Sequence, residues 1–235
     1  SYIISKNQKI YCENGWHNTK TNISQFQKNA YVTTKRHLLK GDSLYYNKNL
    51  GYGKAIKNVE VIDTVENITV FGDFAEYFEE EEVVEITETP VLQILFEADT
   101  LFMHADKFIS QQKAGTKKVL AHNKVKFFKT DLQGKCDSLS YNLNDSIVEM
   151  FNHPILWSDK FQITADSIHF LMHKGKVNRM FLKPNPMIIN QEDVLDYNQI
   201  KGKNMTAFFT NNKINRMNII GNGQSIFIIR DEETD

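Results

Sequence analysis

The chain has few of the residues that mark helical, disulfide-bonded or membrane-spanning proteins. Leu and Ala, two strong helix formers, together supply only 24 of the 235 residues, Pro supplies 4 and Cys 2. No apolar run approaches the roughly 20 residues of a membrane-spanning helix. Lys plus Arg number 28 and Asp plus Glu 29, so the net charge is −1. This balance argues against a nucleic-acid partner, because phosphates are neutralised by a basic surface.

Residues suited to β-strands are abundant instead. Ile, Val, Phe, Tyr, Trp and Thr supply 78 residues, and such side chains fit a pleated, half-buried surface. The 23 Asn residues favour turns and left-handed backbone. No segment of ten or more residues keeps a helical period of apolar side chains. We therefore predict an all-β protein, and we expect residues 1–235 to form a single domain of β-repeats.

A short motif recurs along the chain. It consists of a small residue, an acid, a spacer, an aliphatic residue, a second spacer and an aromatic residue, as in GDSLYYN from Gly41, KCDSLSYN from Lys135 and TADSIHF from Thr164. Looser copies begin at Phe71 and Glu97. Such repetition indicates a stack of similar units. The acid position is occupied by Glu13, Asp42, Asp73, Asp99, Asp137, Asp166 and Asn204.

A second motif, an Asn followed by an apolar strand, alternates with the first. Its copies begin at Asn29, Asn58, Asn123, Asn152, Asn185 and Asn222, and Glu88 takes this place in the segment ETPVLQIL. From Asn123 the steps to Asp137, Asn152 and Asp166 are 14, 15 and 14 residues. A step of this length holds a strand of typical size and a turn. The alternation therefore predicts short strands joined by polar turns.

The first motif also predicts one apolar face. Side chains two positions apart lie on the same side of a strand, so Leu44 and Tyr46 share a face, and polar residues such as Ser43 lie opposite. The equivalent positions of the other copies extend this face along the stack. The residues that we predict to line it are Leu44, Tyr46, Tyr77, Leu101, Met103, Leu139, Tyr141, Ile168, Phe170 and Phe208.

The repeated acids invite a catalytic interpretation, which their number disfavours. Glycosidases use two unlike carboxylates at one place, whereas this column repeats a similar side chain in nearly every unit. Asp and Asn at a strand start also accept hydrogen bonds that fix a corner, and we favour this structural role. His169 and His173 lack the Glu of a zinc-binding HExxH motif. We predict no catalytic residue, no metal site and no cofactor.

Cys12 and Cys136 occupy the same position of the first motif, directly before the acid. Gly41 and Ala165 stand at the equivalent position of other copies, so this position selects small side chains. Size alone accounts for both cysteines. We expect two thiols rather than a disulfide.

The repeats resemble those of the OstA-like family. The likeness is carried by GDSLYYN with GKAIKNVEV, and by GKCDSLSYN through NHPILWSDKFQITADSIHF. This family includes the periplasmic lipopolysaccharide-transport bridge proteins of the LptA type and the N-terminal domain of their outer-membrane partner. The resemblance implies a twisted antiparallel β-jelly-roll, folded like an open trough, in the periplasm or cell envelope. It also implies a non-catalytic carrier that holds the acyl chains of lipopolysaccharide, or a related glycolipid, inside and leaves the sugars outside.

Two alternatives follow from the residues alone. A structural or adhesive parallel β-solenoid with a closed, dry core would have the same apolar face, and an enzyme acting on a polysaccharide would use the acids. A carrier needs an open lumen, whereas a core is packed at crystal density. An open stack also leaves unpaired edge strands. These edges predict head-to-tail addition of other OstA-like domains, unless charged turns block them.

Overall fold

The computed structural model describes residues 2–4, 8–96, 99–113, 115–173, 176–210 and 213–229. Glu97, the start of one looser motif copy, lies outside them. The elements of the described residues are all β-strands, and these strands pair antiparallel. The predicted all-β, antiparallel fold is confirmed, and the parallel solenoid is wrong.

The described residues form 23 strands. The first eight are β1 Tyr2–Ile4, β2 Gln8–Tyr11, β3 Asn14–Asn18, β4 Ile23–Thr34, β5 His37–Asn47, β6 Tyr52–Asp63, β7 Ile68–Phe78 and β8 Val83–Thr87. The next eight are β9 Val91–Leu95, β10 Thr100–His104, β11 Lys107–Lys113, β12 Thr116–Lys129, β13 Leu132–Asn142, β14 Ile147–Phe151, β15 Ile155–Ser158 and β16 Phe161–Thr164. The last seven are β17 Ser167–His173, β18 Lys176–Lys183, β19 Met187–Gln191, β20 Tyr197–Lys201, β21 Asn204–Thr210, β22 Lys213–Ile220 and β23 Gln224–Ile226.

Hydrogen bonding divides the strands into two half-sheets. Half-sheet A contains β3, β8, β11, β14, β17, β18, β21 and β22, and half-sheet B contains β1, β2, β9, β10, β15, β16, β19, β20 and β23. The long strands β4 to β7, β12 and β13 contribute one part to each half-sheet. Their pairings shift register near the middle, as a β-bulge that bends a strand does. Both half-sheets contribute to one apolar core.

The bend, which we call the corner, is built by the two sequence motifs together. Pairs of residues in the left-handed region occupy the Asn-led copies, including Lys57 and Asn58. The Asn side chain then donates to the acid of the preceding unit. The donor and acceptor atoms are 2.6 Å apart for Asn29 and Glu13, 2.9 Å for Asn58 and Asp42, 3.2 Å for Asn152 and Asp137, and 3.0 Å for Asn185 and Asp166. The predicted corner role of these acids is confirmed.

The small residue before each acid is buried or half-buried against the core. Cys12, Cys136 and Ala165 are all less than a tenth exposed. A side chain larger than Gly does not fit every copy, since a Cβ built on Gly72 would lie 2.8 Å from Cγ2 of Ile86 and 3.0 Å from the carbonyl oxygen of Thr87. The size selection inferred from the sequence is therefore a packing constraint at the corner.

Two motif positions were assigned wrongly from the sequence. Asp106 follows the fully buried Ala105 and donates its backbone N–H to the Asn-led copy at Asn123, so it is the corner acid instead of Asp99. The carboxylate of Asp99 accepts hydrogen bonds from the backbone and hydroxyl of Thr130 at the far end of the strands. In the last copy Lys203, not Asn204, makes the corner backbone bond, to the carbonyl of Gly221.

Candidate functional site

The two half-sheets line a partly open apolar cavity of about 110 Å³ near the centre of the chain. Half-sheet A contributes Val119, Ala121, Leu139, Tyr141, Val148, Phe170, Met172 and Val177 to its wall. Half-sheet B contributes Ile68, Leu92, Ile94, Leu101, Met103, Phe127 and Leu132, and Phe96 follows β9. We call this cavity the lumen.

Strand alternation places these side chains in facing rows. In half-sheet B, Leu101 lies opposite Ile94, and Met103 lies opposite Leu92. In half-sheet A, Val119 lies opposite Tyr141, and Ala121 lies opposite Leu139. Cross-strand neighbours on one face are within contact distance. Each half-sheet therefore presents a continuous apolar wall to the lumen.

The chemistry of this wall suits a hydrocarbon chain. Its side chains are aliphatic, aromatic or thioether groups, and the Tyr141 hydroxyl is the polar exception. Burial, and secondarily the negative charge of Glu66, raises the pKa of the Tyr141 phenol, which therefore stays neutral. A site of this kind has nothing with which to hold a charged or strongly hydrogen-bonding ligand in its interior. It offers dispersion contacts and the hydrophobic effect.

The size of the lumen limits what fits without movement. An engineered cavity of about 150 Å³ with a similar lining stays dry and binds benzene. The lumen, at about 110 Å³, has room for a few methylene groups. A longer acyl chain would extend out through the open side of the lumen, or would need the half-sheets to move apart.

Five of the ten predicted lining residues border the lumen: Leu101, Met103, Leu139, Tyr141 and Phe170. Each lies in the middle of the chain, between β10 and β17.

Four others lie inside the fold but away from the lumen. Leu44 and Ile168 are buried in the packed core. Tyr46 and Tyr77 lie on half-sheet A towards its N-terminal end, where the Tyr46 hydroxyl donates to Glu79. Burial and this hydrogen bond raise the pKa of Tyr46 to about 12. These four positions extend the apolar face without enclosing a cavity.

The predicted inward position of Phe208 is wrong. Met205 and Ala207 are the fully buried residues of β21, so Phe208 lies on the outer face. There the guanidinium groups of Arg179 and Arg216 lie 5.2 Å and 4.2 Å from the centre of its ring. The cause is the shifted motif, because an acid position of Asn204 instead of Lys203 reverses every side chain after it.

Most of the other lining residues belong to strands that the first motif does not cover. Leu92 and Ile94 alternate in the segment VLQIL after Glu88, and Val119 and Ala121 alternate in β12. The same period of two marks both segments. If the Asn-led strands and their hairpins are also read with this period of two, the sequence identifies half-sheet B and most of the remaining residues of the lumen wall.

Neither a metal centre nor a membrane helix is apparent in the described part of the chain. No group of three or more His, Cys, Asp or Glu side chains in it is arranged to hold a metal ion. The same residues contain no helix with the length and apolarity needed to cross a membrane.

Comparison with known proteins gives a family match for the segment that contains most of the lumen. Residues 93–176 match the family described as LptA/(LptD N-terminal domain) LPS transport protein, which confirms the resemblance to the OstA-like transport proteins. No curated protein matches the chain. The solved structure of LptH, the LptA-homologous periplasmic component of the lipopolysaccharide transport device of Pseudomonas aeruginosa, covers 61% of this chain and 81% of its own, with 11% identity and a TM-score of 0.31. A structural similarity this low does not support an inference about this chain.

Proposed function

We propose, from the family match of residues 93–176, that this protein is a non-catalytic carrier of lipopolysaccharide or a related glycolipid in the periplasm. The observation that carries the proposal is the apolar wall of the lumen, to which both half-sheets contribute. In this proposal acyl chains occupy the lumen, the sugars remain in water, and the lipid passes towards the outer membrane. Residues 1–235 act as one domain of this kind.

Leu101, Met103, Leu139, Tyr141 and Phe170 are the predicted residues that would contact acyl chains, because they border the lumen. A purely structural stack accounts for the packed parts of the core equally well. It gives no reason for an apolar cavity, since an empty cavity lowers the stability of a fold.

Transfer between proteins would use the open ends of the half-sheets. β3 and β1 lie at the N-terminal edges, and β22 and β23 lie at the C-terminal edges. Exposed apolar side chains accompany both ends, including Trp16 near the first and Ile220 and Ile226 near the second. Unpaired edges add strands from a partner. We include head-to-tail association with other OstA-like domains in the proposal.

The test is native mass spectrometry of the protein purified from a lipopolysaccharide-producing host, followed by titration with lipopolysaccharide. Val119→Trp fills the lumen, whereas Leu120→Trp places the same ring on the outer face of the same strand. We expect uptake by the wild type and by Leu120→Trp, and at least a tenfold loss for Val119→Trp.

Circular dichroism checks that both variants are folded, because overpacking also destabilises a core. A wild-type protein that never takes up lipid would overturn the carrier function. Undiminished uptake by Val119→Trp would place the lipid elsewhere on the protein.

A further inference from the structure

Charged residues continue the inward-facing rows at the open side of the lumen. In β6 the inward positions run from Val59 through Val61 to Asp63, and in β12 they run from Ala121 through Val119 to Lys117. Alternation therefore places Asp63 at the rim of half-sheet B and Lys117 at the rim of half-sheet A. We call this side of the trough, opposite the corner, the mouth.

The two rims are joined by direct ion pairs. Lys117 Nζ lies 2.7 Å from Glu66 Oε1 and 3.3 Å from Asp63 Oδ2. Both carboxylates also bind Arg36, at 2.8 Å for Asp63 and 3.1 Å for Glu66. Arg36, Asp63 and Glu66 all belong to half-sheet B or its turns. Lys117 is the member of this cluster that crosses the mouth.

Two members of the cluster are more buried than the lysines of typical surface pairs. The side chains of Lys117 and Asp63 are each 15% exposed. Lys40 and Lys107, which pair with Glu60 and Glu85 inside single half-sheets, are 44% and 36% exposed. Exposed pairs contribute little because water screens them. The Lys117–Asp63 pair is better shielded, Arg36 and Glu66 are 28% and 35% exposed, and the four alternating charges support one another.

The cluster also lies against the lumen. Val119, two residues from Lys117 on the same face, and Ile68, two residues from Glu66, are part of the lumen wall. Glu66 is close enough to Tyr141, another wall residue, for its charge to act on that phenol. The cluster therefore lies where the mouth borders the lumen.

We propose that Lys117 is a latch that holds the two rims of the mouth together beside the lumen, and that its release from Asp63 and Glu66 widens the mouth and admits the lipid chain. The inference rests on the proposed carrier function for its purpose, but the closure itself is a property of the free protein. Arg36 still contacts both carboxylates when Lys117 leaves. Opening therefore leaves neither carboxylate without a cationic partner.

The first test measures the width of the mouth without any lipid. Spin labels are attached to Val65→Cys on the rim of half-sheet B and Asp145→Cys on the rim of half-sheet A, both exposed positions. Cys12 and Cys136 are replaced by Ala, the residue found at the same motif position in Ala105 and Ala165. Double electron–electron resonance then reports the distance between the rims.

Lys117→Met keeps most of the side-chain volume and removes the charge. We expect it to lengthen or broaden the distance distribution, and the matched control Lys107→Met to leave it unchanged. Identical distributions for wild type and Lys117→Met would overturn the latch.

The second test measures entry of a fatty acid by stopped-flow fluorescence, with cis-parinaric acid as the probe. We expect the association rate of Lys117→Met to exceed that of wild type by about fivefold, the factor for an ion pair of about 1 kcal/mol, and Lys107→Met to match the wild type. Equal rates for all three proteins would overturn the gating role. A wider mouth in Lys117→Met, together with no probe binding by any protein, would retain the latch and overturn the carrier function.

Discussion

The floor of the trough, next to the corner, and its mouth are built from the same alternating pattern but pack differently. At the floor, Leu156, Leu182 and Met205 have no exposed surface and are not part of the lumen wall. Towards the mouth, Leu101 and Tyr141 are half-buried and border the lumen. The bend at the corner joins the half-sheets at the floor. Residue type alone does not decide whether an inward side chain is core or lining.

The largest expected difference between the two regions is in thiol reactivity. Burial is the main cause that raises the pKa of the Cys136 thiol at the corner to about 12. The thiolate is the reactive form. At pH 8 the thiolate of Cys136 is therefore about a thousandfold less populated than the thiolate of a cysteine with the ordinary pKa of 9.0.

We expect Cys136 in a Cys12→Ala background to react with a thiol reagent about a thousandfold more slowly in the folded protein than in urea. Leu101→Cys, at the lumen, should react much faster than Cys136. The raised pKa also implies that the fold gains stability from the protonated thiol below about pH 9, and loses this contribution as the pH rises towards 12. A native Cys136 that reacts as fast as the unfolded thiol would show that the corner is not closed.

The second difference is in how much the free energy of unfolding falls when a side chain is shortened. Leu156→Ala at the floor should lower the free energy of unfolding by about 2–5 kcal/mol, because it opens a cavity in a packed region. Leu101→Ala at the lumen should cost about 1 kcal/mol, since its side chain is half-buried and already borders a cavity. Urea unfolding measures both values. Equal costs would mean that the lumen closes in solution and that the comparison of floor and mouth fails.

The sequence was sufficient for the fold class and for the corner, since both are local. Alternation, the small residue and the acid act within a few residues, so the motif around Asp42, Asp137 and Asp166 could be identified directly. The trough shape was predicted from the family resemblance. At Asp99 the motif indicated the wrong acid, because EADTLFM matches its pattern of aliphatic and other apolar residues, and only the pairing of strands shows that Asp106 faces an Asn-led copy.

The lumen and the latch depend on contacts between distant residues, which a repeat pattern does not contain. Lys117 meets Glu66 across 51 positions of sequence. In the sequence it is one of several lysines near a turn. The depth of each inward position was equally hidden, because Leu44 and Leu139 have the same motif position while only Leu139 borders the lumen. Motif position determines the face of the sheet on which a side chain lies, and tertiary packing determines whether that side chain borders the lumen.

The smallest expected effect is the difference in stability between two Gly→Ala variants at equivalent corner positions. In Gly72→Ala the new Cβ would lie 2.8 Å from Cγ2 of the buried Ile86 and 3.0 Å from the backbone oxygen of Thr87. Both neighbours are held in place, so we expect a loss of about 1–3 kcal/mol. In Gly41→Ala the nearest atoms are Cδ2 of Leu44 at 3.2 Å and Cβ of Ala55 at 3.5 Å. A leucine terminus can shift by a few tenths of an ångström, so this change should cost less than about 1 kcal/mol.

Thermal unfolding of the two variants measures this difference directly. Ala165 already occupies the same motif position, so a methyl group as such is acceptable at the corner and only the local spacing of the half-sheets distinguishes the two sites. If Gly72→Ala proves as stable as Gly41→Ala, the corner yields where β7 meets β8, and the rigid floor does not extend to that end of the trough. A larger loss for Gly72→Ala would show that the floor is rigid along this part of its length, which leaves the mouth as the side where the half-sheets can separate.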